Sequence, residues 1–161
     1  MLYKFIYEEK GKRLLKNTLS QYLAEDLVTS VLSNYEEVKL GGTKKEVTLF
    51  FSDIAGFTTI SEGMDPEELV RFLSFYLKDV SDIIIKERGF INKYVGDAVM
   101  AIWGAFGIEK QQSYLACKSA LLQQRAIDHL NIRFKRDFGF TIAARMGINK
   151  GLAVVGNIGS E

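Results

Sequence analysis

Two β-prone runs, Phe90–Val95 and Ala98–Trp103, are separated only by Gly96-Asp97. A two-residue Gly-Asp link joins antiparallel neighbours, because its backbone twist suits a tight hairpin. Parallel strands need a crossover of a dozen or more residues. The pair therefore cannot belong to an all-parallel sheet of alternating strands and helices, which argues against a phospho-acceptor domain with Asp53 as its modified residue. On either side of the hairpin lies a long helical pattern. Asp65-Pro66-Glu67-Glu68 marks the first: Asp65 as N-cap, Pro66 in the first turn and Glu68 at the capping-box position. Leu69, Phe72, Leu73, Tyr76, Leu77, Val80, Ile83 and Ile84 form its inner face to about residue 88, where Gly89 stops it. The second spans about residues 112–136, with Ala116, Ala120, Leu121, Ile127 and Leu130 apolar and Gly139 after it.

A buried strand is predicted over residues 46–53 ahead of the first helix. Behind the second, residues 141–149 alternate: Ile142, Ala144, Met146 and Ile148 face one way, Ala143, Arg145 and Asn149 the other. Residues 151–158 read as a further strand. The order is β-α-β-β-α-β, the ferredoxin-like α+β arrangement of an antiparallel sheet with helices on one face. Before it, Leu19, Leu23, Leu27 and Val31 recur every four positions, flanked by Val28 and Leu32. That stripe predicts an N-terminal helix, with Gly41-Gly42 closing a connecting segment over residues 1–45. The segment either packs on its own domain or joins it to an upstream module. The domain itself is placed at residues 46–161.

The predicted topology makes the first strand and the hairpin neighbours, so Asp53 and Asp97 converge at one end of the sheet. Two carboxylates at the ends of adjacent strands form a seat for hard divalent cations. Asp53 leads into Ile54-Ala55-Gly56-Phe57-Thr58, a small-residue turn whose backbone N–H groups can meet a phosphate. Taken singly, each aspartate has a plainer explanation: Asp53 as a helix cap, Asp97 as turn chemistry. Arg145 could pair with a surface carboxylate, and Lys93 could be a solvated lysine. The only histidine, His129, lies in the second helix, which excludes a histidine triad or a histidine-rich zinc site. Its 21 basic and 20 acidic residues give the chain a net charge of +1, which argues against nucleic acid as a partner. The lone Cys117 cannot form an internal disulfide and fits a reducing compartment. No apolar run approaches the length that spans a bilayer, and no signal peptide is evident. A cytoplasmic location is expected, with a parent protein anchored, if at all, through an upstream segment.

Three motifs, FSDIAGFT, INKYVGDAVMAIWG and ARMGINKGLAVVGNIG, occur in an order and spacing that resemble the class III nucleotidyl cyclases. The resemblance covers about residues 46–159. It implies that Asp53 and Asp97, with the Ile54 carbonyl, hold two Mg²⁺ or Mn²⁺ ions. It implies that the backbone of Ala55, Gly56, Phe57 and Thr58 cradles the phosphates of ATP, with Arg145 contacting them as well. Lys93 stands where adenylyl cyclases carry an adenine-reading lysine; guanylyl cyclases tend to have glutamate there. A lysine can donate to adenine N1, whereas guanine N1 carries a hydrogen and wants an acceptor. The implied reaction is attack of the ATP 3′-hydroxyl on its own α-phosphorus, with loss of pyrophosphate, by two-metal in-line displacement. The implied assembly is a homodimer with shared active sites, Lys93 of one chain serving Asp53 and Asp97 of its partner.

Family members normally continue past the position of Glu161 with groups that read the base and stabilise the transition state. These 161 residues are therefore expected to be inactive or nearly so by themselves. Upstream, such domains usually follow a sensor module. A cyclase-like domain that binds nucleotide or a partner without turnover, and a guanylate cyclase, are the alternative functions.

Overall fold

The structure, a computed structural model, describes residues 42–106 and 109–156, together with Thr18, Ser20 and Val28. Its first strand, β1 (Thr43–Ile54), is followed by a short helix α1 (Phe57–Glu62) and a long helix α2 (Pro66–Lys86). Next come β2 (Phe90–Val95), β3 (Ala98–Trp103), the helix α3 (Gln112–Asp137) and β4 (Ala144–Val155). The four strands form one antiparallel sheet in the order β2-β3-β1-β4. This is the predicted α+β arrangement. The predicted N-terminal helix lies outside the described residues, except that Thr18 and Val28 are helical and Val28 is fully buried.

Alternation along β1 decides which side the helices cover. Thr48, Phe50, Ser52 and Ile54 are buried on one face. There Phe50 and Ile54 pack with Val99, Ala101 and Trp103 of β3, Phe72, Tyr76 and Ile84 of α2, and Ala116, Ile127 and Phe134 of α3. Residues of opposite parity point to the other face. At one end of that face Val47, Ile102 and Ala105 form a second small cluster with Phe90 and Phe106. Towards the other end it opens, and Phe51 is half exposed.

Asp65 caps α2 as predicted, its side chain accepting from Glu67 N at 3.0 Å, with Pro66 in the first turn. Glu68 does not complete a capping box; its carboxylate lies 3.9 Å from Arg71 on the next turn. The helix ends one residue earlier than its glycine suggests. Arg88 takes the left-handed conformation (φ 64°), Gly89 N donates to Ile84 O and Arg88 N to Ile85 O. This is a Schellman cap with arginine where glycine is usual. Gly89 is required for a different reason. A Cβ there would stand 2.6 Å from the Trp103 ring and 2.7 Å from Ile84.

Two further expectations meet a different outcome. Leu121, one of the apolar positions read in the second helix, is exposed. The buried stripe runs through Ala116, Ser119, Gln123, Ile127, Leu130 and Phe134, and a residue two positions past Ser119 falls on the far side. The two strands expected over residues 141–149 and 151–158 are one strand as far as Val155, and residues 157–161 lie outside the description. Asn149-Lys150-Gly151 resembles a turn, but β4 pairs with β1 without interruption from Ile54↔Ala144 to Thr43↔Val155, and that ladder holds the segment extended. Residues 141–143 precede the strand, because Asn131 of α3 takes the place of a strand partner. Its side-chain amide donates to Ile142 O at 2.8 Å and accepts from Ile142 N at 2.7 Å. Among the described residues no helix is long and apolar enough to cross a membrane.

Candidate functional site

β1 ends and the β2–β3 hairpin turns at the same edge of the sheet. Ser52 lies opposite Val99, so the antiparallel register carries Ile54 towards Asp97. Gly96 adopts φ 62°, which glycine reaches without strain, and the hairpin closes at Val95↔Ala98. Asp97 Oδ2 then accepts a hydrogen bond from Ile54 N at 2.7 Å. The second aspartate is thus fastened to the residue that follows the first. The predicted convergence of Asp53 and Asp97 is present.

Asp53 occupies the open face directly opposite Arg145 of β4. The guanidinium grips it at two points, Nε to Oδ1 at 3.0 Å and Nη2 to Oδ2 at 2.8 Å. Both side chains reach solvent, 38% for Asp53 and 70% for Arg145, so the pair adds little to stability. The hydrogen bonds that Arg145 donates to Asp53, and the charge of that carboxylate, raise the Arg145 pKa, and the charge of Asp97 adds to that. Arg145 therefore feels both carboxylates.

Beneath them, on the helix side, Ser52 and Tyr76 share a buried hydrogen bond of 3.0 Å. The Tyr76 phenol is pushed up to about 12, first by burial and then by the negative charges of Asp97 and Asp53, against the Ser52 bond. The phenol is the neutral floor of an acidic site.

Gly56 sits in the left-handed region (φ 72°) and starts α1 with no side-chain cap. The small-residue turn after Asp53 leads into a helix, as expected, but the helix already begins at Phe57, so Phe57 and Thr58 are its first residues. Ala55 differs from the rest of residues 55–58. Its amide donates to Ala143 O at 2.8 Å and ties the turn to the approach of β4, so a phosphate would find the amides of Gly56, Phe57 and Thr58 instead. Lys93 projects from β2 on the open face, in the row Lys93, Met100, Phe51, Gly147. That row puts it two strands from β1, about 10 Å across the sheet. Lys93 is exposed.

Among the described residues no three His, Cys, Asp or Glu side chains gather into a metal cluster. The donor set is two carboxylates with backbone carbonyl beside them, all hard oxygens of the kind Mg²⁺ and Mn²⁺ take. The guanidinium already drawn onto Asp53 shows that the acidic pair calls for positive charge at this point. The residues present fit a divalent cation. Arg145 does pair with a carboxylate, as its plainer explanation allows; that the partner is Asp53, and that Ser52 bonds Tyr76, were not foreseen, since each needs the strand register or helix packing. Cys117 and His129 are exposed on α3 and away from the site.

The sequence model of the adenylate and guanylate cyclase catalytic domain matches residues 41–161. Adenylate cyclase 1 of Rhizobium meliloti is 33% identical over 144 residues, covering 89% of this chain and 22% of that protein. The adenylate cyclase of Anabaena cylindrica is 33% identical over 154 residues, covering 90% of this chain and 30% of that protein. The chain therefore spans less than a third of these relatives. Among solved structures, the adenylyl cyclase CyaB from P. aeruginosa is 35% identical with a TM-score of 0.71, covering 75% of this chain and 63% of that one. The guanylyl cyclase Cya2 is 34% identical with a TM-score of 0.71, covering 76% and 62%. These two neighbours are equally similar in fold and named for different bases, so fold similarity is neutral on the base.

Proposed function

This chain belongs to the adenylate and guanylate cyclase catalytic domain family, and we propose that it serves an adenylate cyclase converting ATP to 3′,5′-cyclic AMP and pyrophosphate. The observation that carries the reading is the convergence of Asp53 and Asp97 at the open end of the sheet, locked by the Ile54 amide. Asp53, Asp97 and the Ile54 carbonyl would hold the Mg²⁺ or Mn²⁺ ions, two in this reading, which supply charge neutralisation and a more acidic 3′-hydroxyl. The remaining work falls to the chain's own groups. The amides of Gly56 to Thr58 would donate to the phosphates at the start of α1. Arg145, two-thirds exposed and held only at its tip, can turn from Asp53 to a phosphate oxygen and bind it with the same fork.

Lys93 gives the base. Its ammonium can donate to adenine N1 and meets only another donor at guanine N1. Standing two strands from Asp53, it suits a shared site in which a second copy of the chain brings its Lys93 to the first copy's carboxylates. Residues 1–45 would link such a dimer to an upstream sensor in the full-length protein, with the catalytic domain in the cytoplasm. The test is product formation by the full-length protein from ATP or GTP with Mn²⁺. Cyclic AMP is expected to exceed cyclic GMP, and Lys93→Glu to shift that ratio towards cyclic GMP by at least about tenfold. A wild-type preference for GTP, or nucleotide binding without product, contradicts the reading.

A further inference from the structure

We propose that Arg145 is the resident counter-ion of the acidic site: it grips Asp53 when no divalent ion is bound and must release it before a divalent ion can use that carboxylate. The inference rests on the reading of Asp53 and Asp97 as cation ligands. Its own support is geometric. Arg145 is the direct cross-strand partner of Asp53, on the open face, with two hydrogen bonds of 3.0 and 2.8 Å in fork geometry. Both Asp53 oxygens are engaged. A metal ion approaching Asp53 meets a cation already there.

The two aspartates differ in this respect. Asp97 is held through one oxygen by a backbone amide, an uncharged donor that leaves its charge available to an incoming ion. Asp53 is held through both oxygens by a full positive charge on a long side chain that is 70% exposed. The first contact is built in and the second is exchangeable. An ion would therefore engage Asp97 first and gain Asp53 only as Arg145 leaves. A polyphosphate gives the departing guanidinium a new partner. Divalent ion and triphosphate should then each tighten the binding of the other, because coupling between two ligands is reciprocal.

The experiment is Mn²⁺ binding to this chain without nucleotide, followed through the electron paramagnetic resonance of free Mn²⁺, with circular dichroism confirming that each variant is folded. Arg145→Gln is expected to bind Mn²⁺ about five- to tenfold more tightly than wild type. Arg145→Lys, which keeps the charge but not the fork, is expected to fall between them. Adding tripolyphosphate is expected to tighten Mn²⁺ binding in wild type more than in Arg145→Gln. Asp53→Asn is expected to weaken binding at least about tenfold. If Arg145→Gln binds no more tightly while Asp53→Asn still loses affinity, the counter-ion role fails and the cation site stands. If Arg145→Lys equals wild type, charge alone is responsible and the two-point grip is wrong. If Asp53→Asn binds as well as wild type, the cation reading itself fails.

Discussion

Asp97→Ala is expected to lower cyclic AMP formation by the full-length protein at least about 10²–10³-fold, measured with ATP and saturating Mn²⁺. Asp53→Ala is expected to do the same. The two losses should not multiply, since both residues act on one charge arrangement and removing either dismantles it. The structure separates two consequences of changing Asp97. Its carboxylate carries charge for the site, and its Oδ2 accepts the Ile54 amide at 2.7 Å. Alanine removes both. Asparagine keeps a carbonyl oxygen that can accept from Ile54 and removes the charge. Asp97→Asn should therefore remain as inactive as Asp97→Ala while recovering about 1 kcal/mol of stability. Activity in Asp97→Asn above about a tenth of wild type would mean that the residue works as a turn brace and not as a charged ligand.

Trp103→Ala is expected to cost about 3–5 kcal/mol of stability, read by chemical denaturation followed with far-ultraviolet circular dichroism. Trp103 is fully buried and meets Phe50 edge-to-face at 6.0 Å. Its Nε1 donates to Glu87 O at 2.7 Å, holding the last residues of α2 against β3. The same ring forbids a side chain at position 89, where a Cβ would approach it to 2.6 Å. This contact predicts a coupling. Gly89→Ala should be destabilising beside Trp103, by about 1–3 kcal/mol, and less so in Trp103→Ala, where the ring is gone and the Ile84 contact remains. Additive effects of the two changes would show that the Trp103 ring is not what forbids a side chain at position 89.

The fold was legible because its strongest signals are local. Asp65-Pro66 starts α2 by capping and by a fixed φ, and Gly96-Asp97 turns the hairpin, so both survive any tertiary context. The carboxylate pair was legible for a related reason: once the hairpin is placed beside β1, the ends of those strands must meet. What escaped depended on partners remote in sequence. Asn149-Lys150-Gly151 has turn composition, and only continuous pairing with β1 keeps it extended. Leu121 looks like a core residue until the phase of α3 is set by Ala116, Gln123 and Ile127. Arg145 faces Asp53 only through the β1–β4 register, which nothing in either strand alone specifies. The amide of Ala55 is taken by Ala143 for the same kind of reason, a close approach of two segments far apart along the chain. Lys93 was correctly placed on a strand, but its distance from Asp53 follows from the strand order β2-β3-β1-β4.

The most direct test is the anomalous scattering of Mn²⁺ in a crystal of this chain. A manganese peak is expected between the carboxylates of Asp53 and Asp97, about 2.1 Å from an oxygen of each, with the Arg145 guanidinium swung off Asp53. A peak that touches neither aspartate, or density with Arg145 still gripping Asp53 at saturating Mn²⁺, would contradict the account.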